Sequence, residues 1–440
     1  METPVYDFLK AYAGSGTLRC HMPGHKGSEL FPDGLCSALD ITEIKGADSL
    51  FEADGIIRQS ERGMSELYNT ADTFYSAGGS TLCIQAMLAA MKQEGRTVIA
   101  VRNVHRAFLN AAALLDLDVE WVIPDYTDGI LSGTVRPDEI ELKLSEIPDA
   151  CVYLTSPDYT GRMYDLKGIS EICHRYGAPL LVDNAHGAHL HFFPVSHHPI
   201  ALGADMCCDS AHKMLPALTG AAMLHVASER YTGVMRQCMS MFASTSPSYL
   251  IMASLDLCRV YITDHIKSDV EENLRYLSEL RKSFSGRIVF AEGDPFHITI
   301  KAAESGLDGN VFAEILRNNG VECEYEDSDI VILLMSPVNK KEDYRILSRA
   351  IDRAIVGTER HEPRSCGMTL SLPEKAMSIR QAAFSRSEEI LVEEAAGRVC
   401  ASVKVPCPPA VPIAASGEII DSNCINIFKR YGISTVNVVY

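Results

Sequence analysis

Between about residues 70 and 223 the chain alternates short apolar runs with segments of helical periodicity, and that alternation leaves few folds open. Residues 97–101 (Thr-Val-Ile-Ala-Val), 119–123, 151–155, 178–182 and 204–208 read as strands, most of them without a polar face. Between them, residues 80–93 place Leu82, Ile84, Met87, Leu88 and Met91 at helical spacing. Residues 107–115 and 166–176 also read as helices, the second closed by Gly177. A strand with no polar face needs cover on both sides, which a parallel sheet flanked by helices supplies. In such sheets chemistry gathers where the strands end.

Around this α/β centre the expected organisation is an N-terminal arm over residues 1–60 and a large domain over 61–285. A small α/β domain is expected over 286–365 and a further C-terminal domain over 366–440. A long helix is expected over 262–283, and strands over 287–290, 297–300 and 330–334. After residue 370 the pattern predicts a helix-rich stretch, a proline-rich loop over 405–412, and two closing strands over 424–427 and 434–438.

The bulk numbers exclude several classes. With 40 basic against 58 acidic residues the net charge is −18, which argues against a phosphate-neutralising nucleic-acid surface. The 14 cysteines are scattered through apolar runs without a C-x-x-C pair and read as free thiols of a reducing cytoplasm. The first residues have neither a basic start nor an apolar core, so no signal peptide is expected. No apolar run approaches the roughly 18 residues of a membrane span.

Two strand-end residues carry the chemistry. Asp183 closes the run 178–182, and Lys213 follows the run 204–208 within Ser210-Ala211-His212-Lys213. A lysine amine can capture the aldehyde of pyridoxal phosphate as a Schiff base, and an aspartate can keep the pyridine nitrogen protonated so that the ring accepts electrons. Such a lysine is expected to be partly desolvated, so that it loses its proton near neutral pH. Gly78-Gly79-Ser80-Thr81 opens a helix whose N–H groups and two hydroxyls suit a phosphate. An ordinary N-cap would have the same residues. His105 follows a strand, where its ring could stack on the pyridine. His186 could address a second edge of that ring, and Ser210 and His212 flank the lysine as further hydrogen-bonding groups. The histidines 186, 189, 191, 197 and 198 invite a metal reading, but no H-E-x-x-H motif or spaced carboxylate accompanies them, and no metal is expected.

The chain resembles the bacterial ornithine/lysine/arginine decarboxylase family in its short form. The resemblance runs from His21-Met22-Pro23-Gly24-His25-Lys26 through Gly78-Gly79-Ser80-Thr81, Asp183-Asn184-Ala185-His186-Gly187 and Ser210-Ala211-His212-Lys213. It continues through Ser244-Thr245-Ser246-Pro247-Ser248-Tyr249 to Pro408-Pro409-Ala410-Val411-Pro412 and Ser416-Gly417-Glu418. It implies the fold-type-I, aspartate-aminotransferase-like architecture, with a mostly parallel sheet in the large domain and smaller α/β domains at the C-terminal side. It also implies pyridoxal 5'-phosphate as cofactor and a basic amino acid as substrate, acted on by a cytoplasmic homodimer or higher homo-oligomer with shared sites.

By the same resemblance Lys213 is the Schiff-base lysine, Asp183 the pyridinium partner and His105 the stacking ring. Gly79, Ser80, Thr81, Ser210 and His212 hold the phosphate or orient the lysine, and Lys213 or His212 returns a proton to the substrate. Thr245 and Ser246 reach a neighbouring subunit's cofactor, and Glu418 faces the distal cation of the substrate. The chain departs from the family at Ala211, where threonine is usual, and at Cys407, Ala410 and Ser416. The last three lie where the distal group is expected to bind, so reaction type is better determined than substrate. Arginine is slightly preferred over lysine and ornithine. Aminotransfer or aldol cleavage on the same fold, or an inert cofactor-binding homologue, are the alternatives.

Overall fold

The computed structural model describes residues 2–20, 22, 23, 25, 26, 36–127, 129–365, 368–402 and 411–440. Its chain divides into two units, Met1–Ala90 with Leu181–Val270, and Met91–Leu180 with Glu271–Tyr440. Residues 405–410, including Cys407 and Ala410, and His21 and Gly24 of the N-terminal motif lie outside the described residues.

In the first unit the strands Asp72–Ser76, Ala222–Val226, Met206–Asp209 and Leu180–Asp183 lie side by side in that order. Asp72–Ser76 and Met206–Asp209 each run antiparallel to Ala222–Val226, pairing Ser76 with Ala222 and Asp209 with Met223. Leu180–Asp183 runs parallel to Met206–Asp209, with Asp183 opposite Cys208. The carboxyl ends Ser76, Asp183 and Asp209 therefore reach one edge. All residues of these four strands are buried, and each fully buried Val, Leu or Met contributes about 1.5–3 kcal/mol relative to exposure. The helix Pro4–Gly14 is capped from far along the chain: Asp256 Oδ2, on helix Tyr249–Asp264, accepts the N–H groups of Val5 (3.0 Å) and Tyr6 (3.2 Å). Those are first-turn donors that a helix cannot satisfy itself.

The second unit contains the parallel strands Ala150–Thr155, Thr97–Val101 and Val119–Val122, with Thr97–Val101 in the middle. Val98, Ile99, Ala100 and Val101 are wholly buried, as an all-apolar central strand requires. The helix Leu166–Arg175 starts on Asp165, whose side chain accepts the Gly168 N–H, and is followed by Gly177 at φ +66. An antiparallel sheet of Val289–Phe290, His297–Lys301, Ile330–Leu334 and Tyr325–Glu326 follows. A three-stranded sheet, Ser387–Leu391, Thr435–Val439 and Cys400–Ser402, completes the unit. One apolar cluster, including Ile330, Ile332, Val392, Ile427, Phe428 and Val436, links these last two sheets.

Three local expectations are corrected. The helix expected over 262–283 is two helices, Tyr249–Asp264 and Ile266–Ser283, separated by His265 at φ −132° and ψ −35°. The stretch after residue 370 contains only the five-residue helix Ile379–Ala383 before strand Ser387–Leu391. Residues 424–427 are not a strand: they belong to helix Ser422–Arg430, where Asp421 accepts the Cys424 N–H at 2.7 Å. Cys424, Ile427 and Phe428 are buried at the i, i+3, i+4 spacing of a helix, and this period outweighs the short alternation. The described cysteines are free thiols, mostly buried. No helix among the described residues is long and apolar enough to cross a membrane.

Candidate active site

Three segments arrive at the carboxyl edge of the first unit's strands. The first is the turn from Ser76 into helix Gly79–Gln93. Ser76 Oγ accepts the Gly78 N–H (3.1 Å) and donates to the Gly79 carbonyl (2.9 Å), while the Gly79 N–H donates to the Gly220 carbonyl (2.9 Å). Gly79 sits at φ +67 with nothing within 4 Å of a Cβ, so the backbone angle rather than crowding calls for glycine. The next N–H groups, of Ser80 and Thr81, have no acceptor within the helix and point a positive dipole end at whatever binds there. The fully buried Ser210 donates its hydroxyl to Ser80 Oγ at 2.9 Å, joining this turn to the lysine segment.

Asp183 ends its strand at 2 % exposure, and its Oδ1 accepts the Ala185 N–H (3.1 Å) and the Cys208 thiol (3.6 Å). Lys213 Nζ stands 2.8 Å from His186 Nε2. An ammonium only donates, so His186 accepts and carries its own proton on Nδ1. His186 thus meets the lysine, where the sequence had suggested an edge of the cofactor ring. His212 Nδ1 lies 2.9 Å from the Ala221 carbonyl and donates to it, which leaves Nε2 as the basic nitrogen. The expected desolvation of Lys213 is not found: the side chain is exposed. In the short helix Ala211–Met214, Ala211, Met214 and the following Leu215 form the buried face, and position 213 falls on the other side.

Thr245 and Ser246 are exposed. Ser246 and Ser244 line a cavity of about 300 Å³ together with Gly78, Thr81, Leu82 and Phe242 of the same chain, beside the glycine turn.

In the second unit His105 follows its strand and caps helix Arg106–Leu115, its Nδ1 accepting the Ala107 N–H at 3.1 Å. Its ring is exposed and held by the cap. Glu418 is placed differently from expectation. Arg102, wholly buried, donates Nη1 to Oε1 and Nη2 to Oε2 of Glu418, both at 2.7 Å. Ala415 N–H donates to the same carboxylate at 2.7 Å, and the guanidinium lies over the Trp121 ring at 4.7 Å. A carboxylate neutralised by its own guanidinium has little charge left for a second cation. Ser416, one of the departures from the family pattern, is buried beside it.

Sequence reasoning missed a buried polar cluster behind the edge. His198, Cys207 and Asp209 bring their polar atoms within 4.8 Å of one another, and His225 and Asn184 also reach Asp209. The available signal was Asp209 itself, a second strand-end aspartate directly before Ser210.

The α/β fold, with a buried strand-end carboxylate, an adjoining lysine and a glycine-turn helix start at one sheet edge, is that of the fold-type-I class of pyridoxal-phosphate enzymes. Over 100 % of its length the chain is similar in structure to the lysine decarboxylase of Francisella novicida (TM-score 0.82, 16 % identity, 81 % of that chain covered). The Orn/Lys/Arg decarboxylase major domain matches residues 3–302 and the Orn/Lys/Arg decarboxylase C-terminal domain residues 365–431, and the chain belongs to that family. An uncharacterised Bacillus subtilis protein, YaaO, is 31 % identical, with 98 % of this chain and 94 % of that one covered. The arginine decarboxylase of Bacillus subtilis is 29 % identical over the same shares.

Proposed function

We propose that this protein decarboxylates a basic amino acid to its amine with release of CO2, using pyridoxal 5'-phosphate. The observation that carries the reading is the meeting of Lys213 and His186, Asp183 and the Gly79–Ser80–Thr81 turn at one strand edge, in a chain of the Orn/Lys/Arg decarboxylase family. The residues fit the cofactor: a helix start whose glycine angle leaves backbone donors for a phosphate, a buried carboxylate for a ring nitrogen, and a primary amine beside an acceptor. When bound, the cofactor supplies an aldehyde for amine capture and a ring that accepts the electron pair left by the departing carboxylate.

Lys213 provides the amine that holds the cofactor, and His186 orients its Nζ. Asp183 holds a proton on the ring nitrogen, and its burial strengthens that interaction. Ser80, Thr81, Ser210 and His212 hold the phosphate, while His105 stacks on the ring. Lys213 or His212 delivers a proton to Cα after CO2 leaves; the basic Nε2 of His212 makes it competent for the transfer. Arginine is the preferred substrate, supported by the Bacillus arginine decarboxylases similar over nearly the whole chain. The protein acts as a cytoplasmic homodimer in which the exposed Thr245 and Ser246 reach the neighbouring subunit's cofactor.

Purified protein loaded with the cofactor and incubated separately with arginine, lysine and ornithine, with products resolved by mass, tests this. One of the three amines with matching CO2 is expected. Keto acids in place of amines, or no turnover of any of the three, would overturn it.

A further inference from the structure

Asp209 is itself assigned to neither cofactor nor substrate, yet it is wholly buried and its carboxylate gathers three side chains. Oδ1 accepts the Asn184 Nδ2–H at 2.6 Å. His198 Nε2 lies 3.1 Å from Oδ2, and His225 Nε2 stands 3.3 Å from the same oxygen. Thr73 Oγ1 lies 2.9 Å from His225 Nδ1. Thr73 donates to His225 Nδ1, His198 donates its Nε2–H to Asp209, and His225 turns its Nε2 to the same carboxylate at 3.3 Å. Burial alone would push this carboxyl up, but His198 and His225 hold it well below the usual carboxylate range.

Asn184 connects this anion to the site. It lies between Asp183 and the turn that ends at His186 and Gly187. Its N–H donates to the Cys208 carbonyl (3.0 Å), and its carbonyl accepts the Gly187 N–H (2.8 Å). A Cβ at Gly187 would come within 2.0 Å of Asn184 Oδ1, so the amide is wedged on one side and clamped on the other. On Asp209's own strand the next residue is Ser210, which donates to Ser80, and Lys213 lies one turn further. One carboxylate thus ties the Asp183–His186 turn to the segment that carries the lysine.

We infer that Asp209 is a positioning residue: a buried anion that sets, through Asn184, the placement of Asp183 and His186 against Lys213. The competing use of the cluster is a metal centre, since His198 Nε2 lies 3.9 Å from Cys207 Sγ. Burial pushes the Cys207 thiol well up, so a metal bound there would have to displace its proton. The hydrogen-bonded arrangement uses the His198 Nε2–H as a donor to Asp209 and turns the His225 Nε2 towards the same carboxylate.

The inference rests on the decarboxylase reading only for its kinetic arm, because cofactor affinity reports on it separately. The test is a cycle of Asn184→Ala, Asp209→Asn and the double variant, read as the dissociation constant for pyridoxal phosphate and as kcat and KM. Each single variant is expected to weaken cofactor binding and lower kcat by about tenfold or more, with KM within about twofold. The double variant should be no worse than the poorer single by more than about twofold. Losses that multiply in the double variant overturn the inference, as does Asn184→Ala within twofold of the parent in both readouts. A stoichiometric transition metal in the isolated protein, whose removal reproduces the losses, also overturns it. If Asp209→Asn does not fold, Asn184→Ala decides alone. A parent protein that turns over no basic amino acid defeats the functional reading, while the affinity arm still decides this one.

Discussion

Lys213 Nζ stands 2.8 Å from His186 Nε2, so the residue expected to capture the cofactor is held by a histidine from the adjoining strand end. Lys213→Ala should abolish covalent attachment of pyridoxal phosphate and lower decarboxylation by about a thousandfold or more. Borohydride reduction followed by peptide mapping should place the label at Lys213 in the parent, and a label elsewhere would refute the assignment. His186→Ala should keep the attachment but slow its formation by about tenfold, measured by stopped-flow absorbance.

Asp183 is buried and accepts a backbone N–H, so its carboxylate has a fixed position. Asp183→Ala should retain part of the cofactor affinity and lose about two to four orders of magnitude in kcat. A kcat close to the parent's would remove Asp183 from the reaction.

The Arg102–Glu418 pair separates two roles for Glu418. As a buried ion pair, its disruption by Glu418→Gln should destabilise the fold by about 3–5 kcal/mol, while Arg102→Met with Glu418→Leu should cost less than that single change. If the carboxylate served the substrate's distal cation, Glu418→Gln would raise KM and leave the thermal midpoint unmoved. Thermal unfolding beside steady-state kinetics distinguishes the two.

Burial, aided by His198 and His225, holds His191 down at about 4 from an ordinary 6.5. His225 is also lowered, mainly by burial. A histidine whose folded-state pKa is depressed charges more readily in the unfolded chain. Its contribution is therefore fully present above pH 6.5 and is lost as pH falls from 6.5 towards about 4. His191→Phe, which keeps a ring beside Tyr68 and Phe192, should flatten the decline by up to about 1.4 kcal/mol per pH unit. Equal slopes in parent and variant, read by denaturant unfolding between pH 7 and 4, would refute this.

Several strands were legible because they are apolar on both faces: 97–101 and 330–334 stand where expected in their two sheets, and 178–182 is displaced by only about two residues. The helix Ser422–Arg430 was misread because four residues can mimic alternation, whereas the Asp421 cap and the burial of Phe428 show over a longer window. His265 interrupts a helix without glycine or proline, which local propensity does not mark.

At the site, residue chemistry nominated Asp183, Lys213 and the glycine turn, because a strand-end carboxylate, a lysine after a strand and a positive-φ glycine each leave a local trace. Partner choice leaves none. That Glu418 meets Arg102, His186 meets Lys213 and Asp209 gathers Asn184 with two histidines depends on strand order and register. Those contacts join residues 11 to 316 positions apart. The amino-acid sequence alone determined an α/β chain carrying the groups for amine capture. Tertiary structure decided which charges are neutralised by the protein itself, because desolvation and hydrogen-bond geometry exist only once distant segments share the same interior.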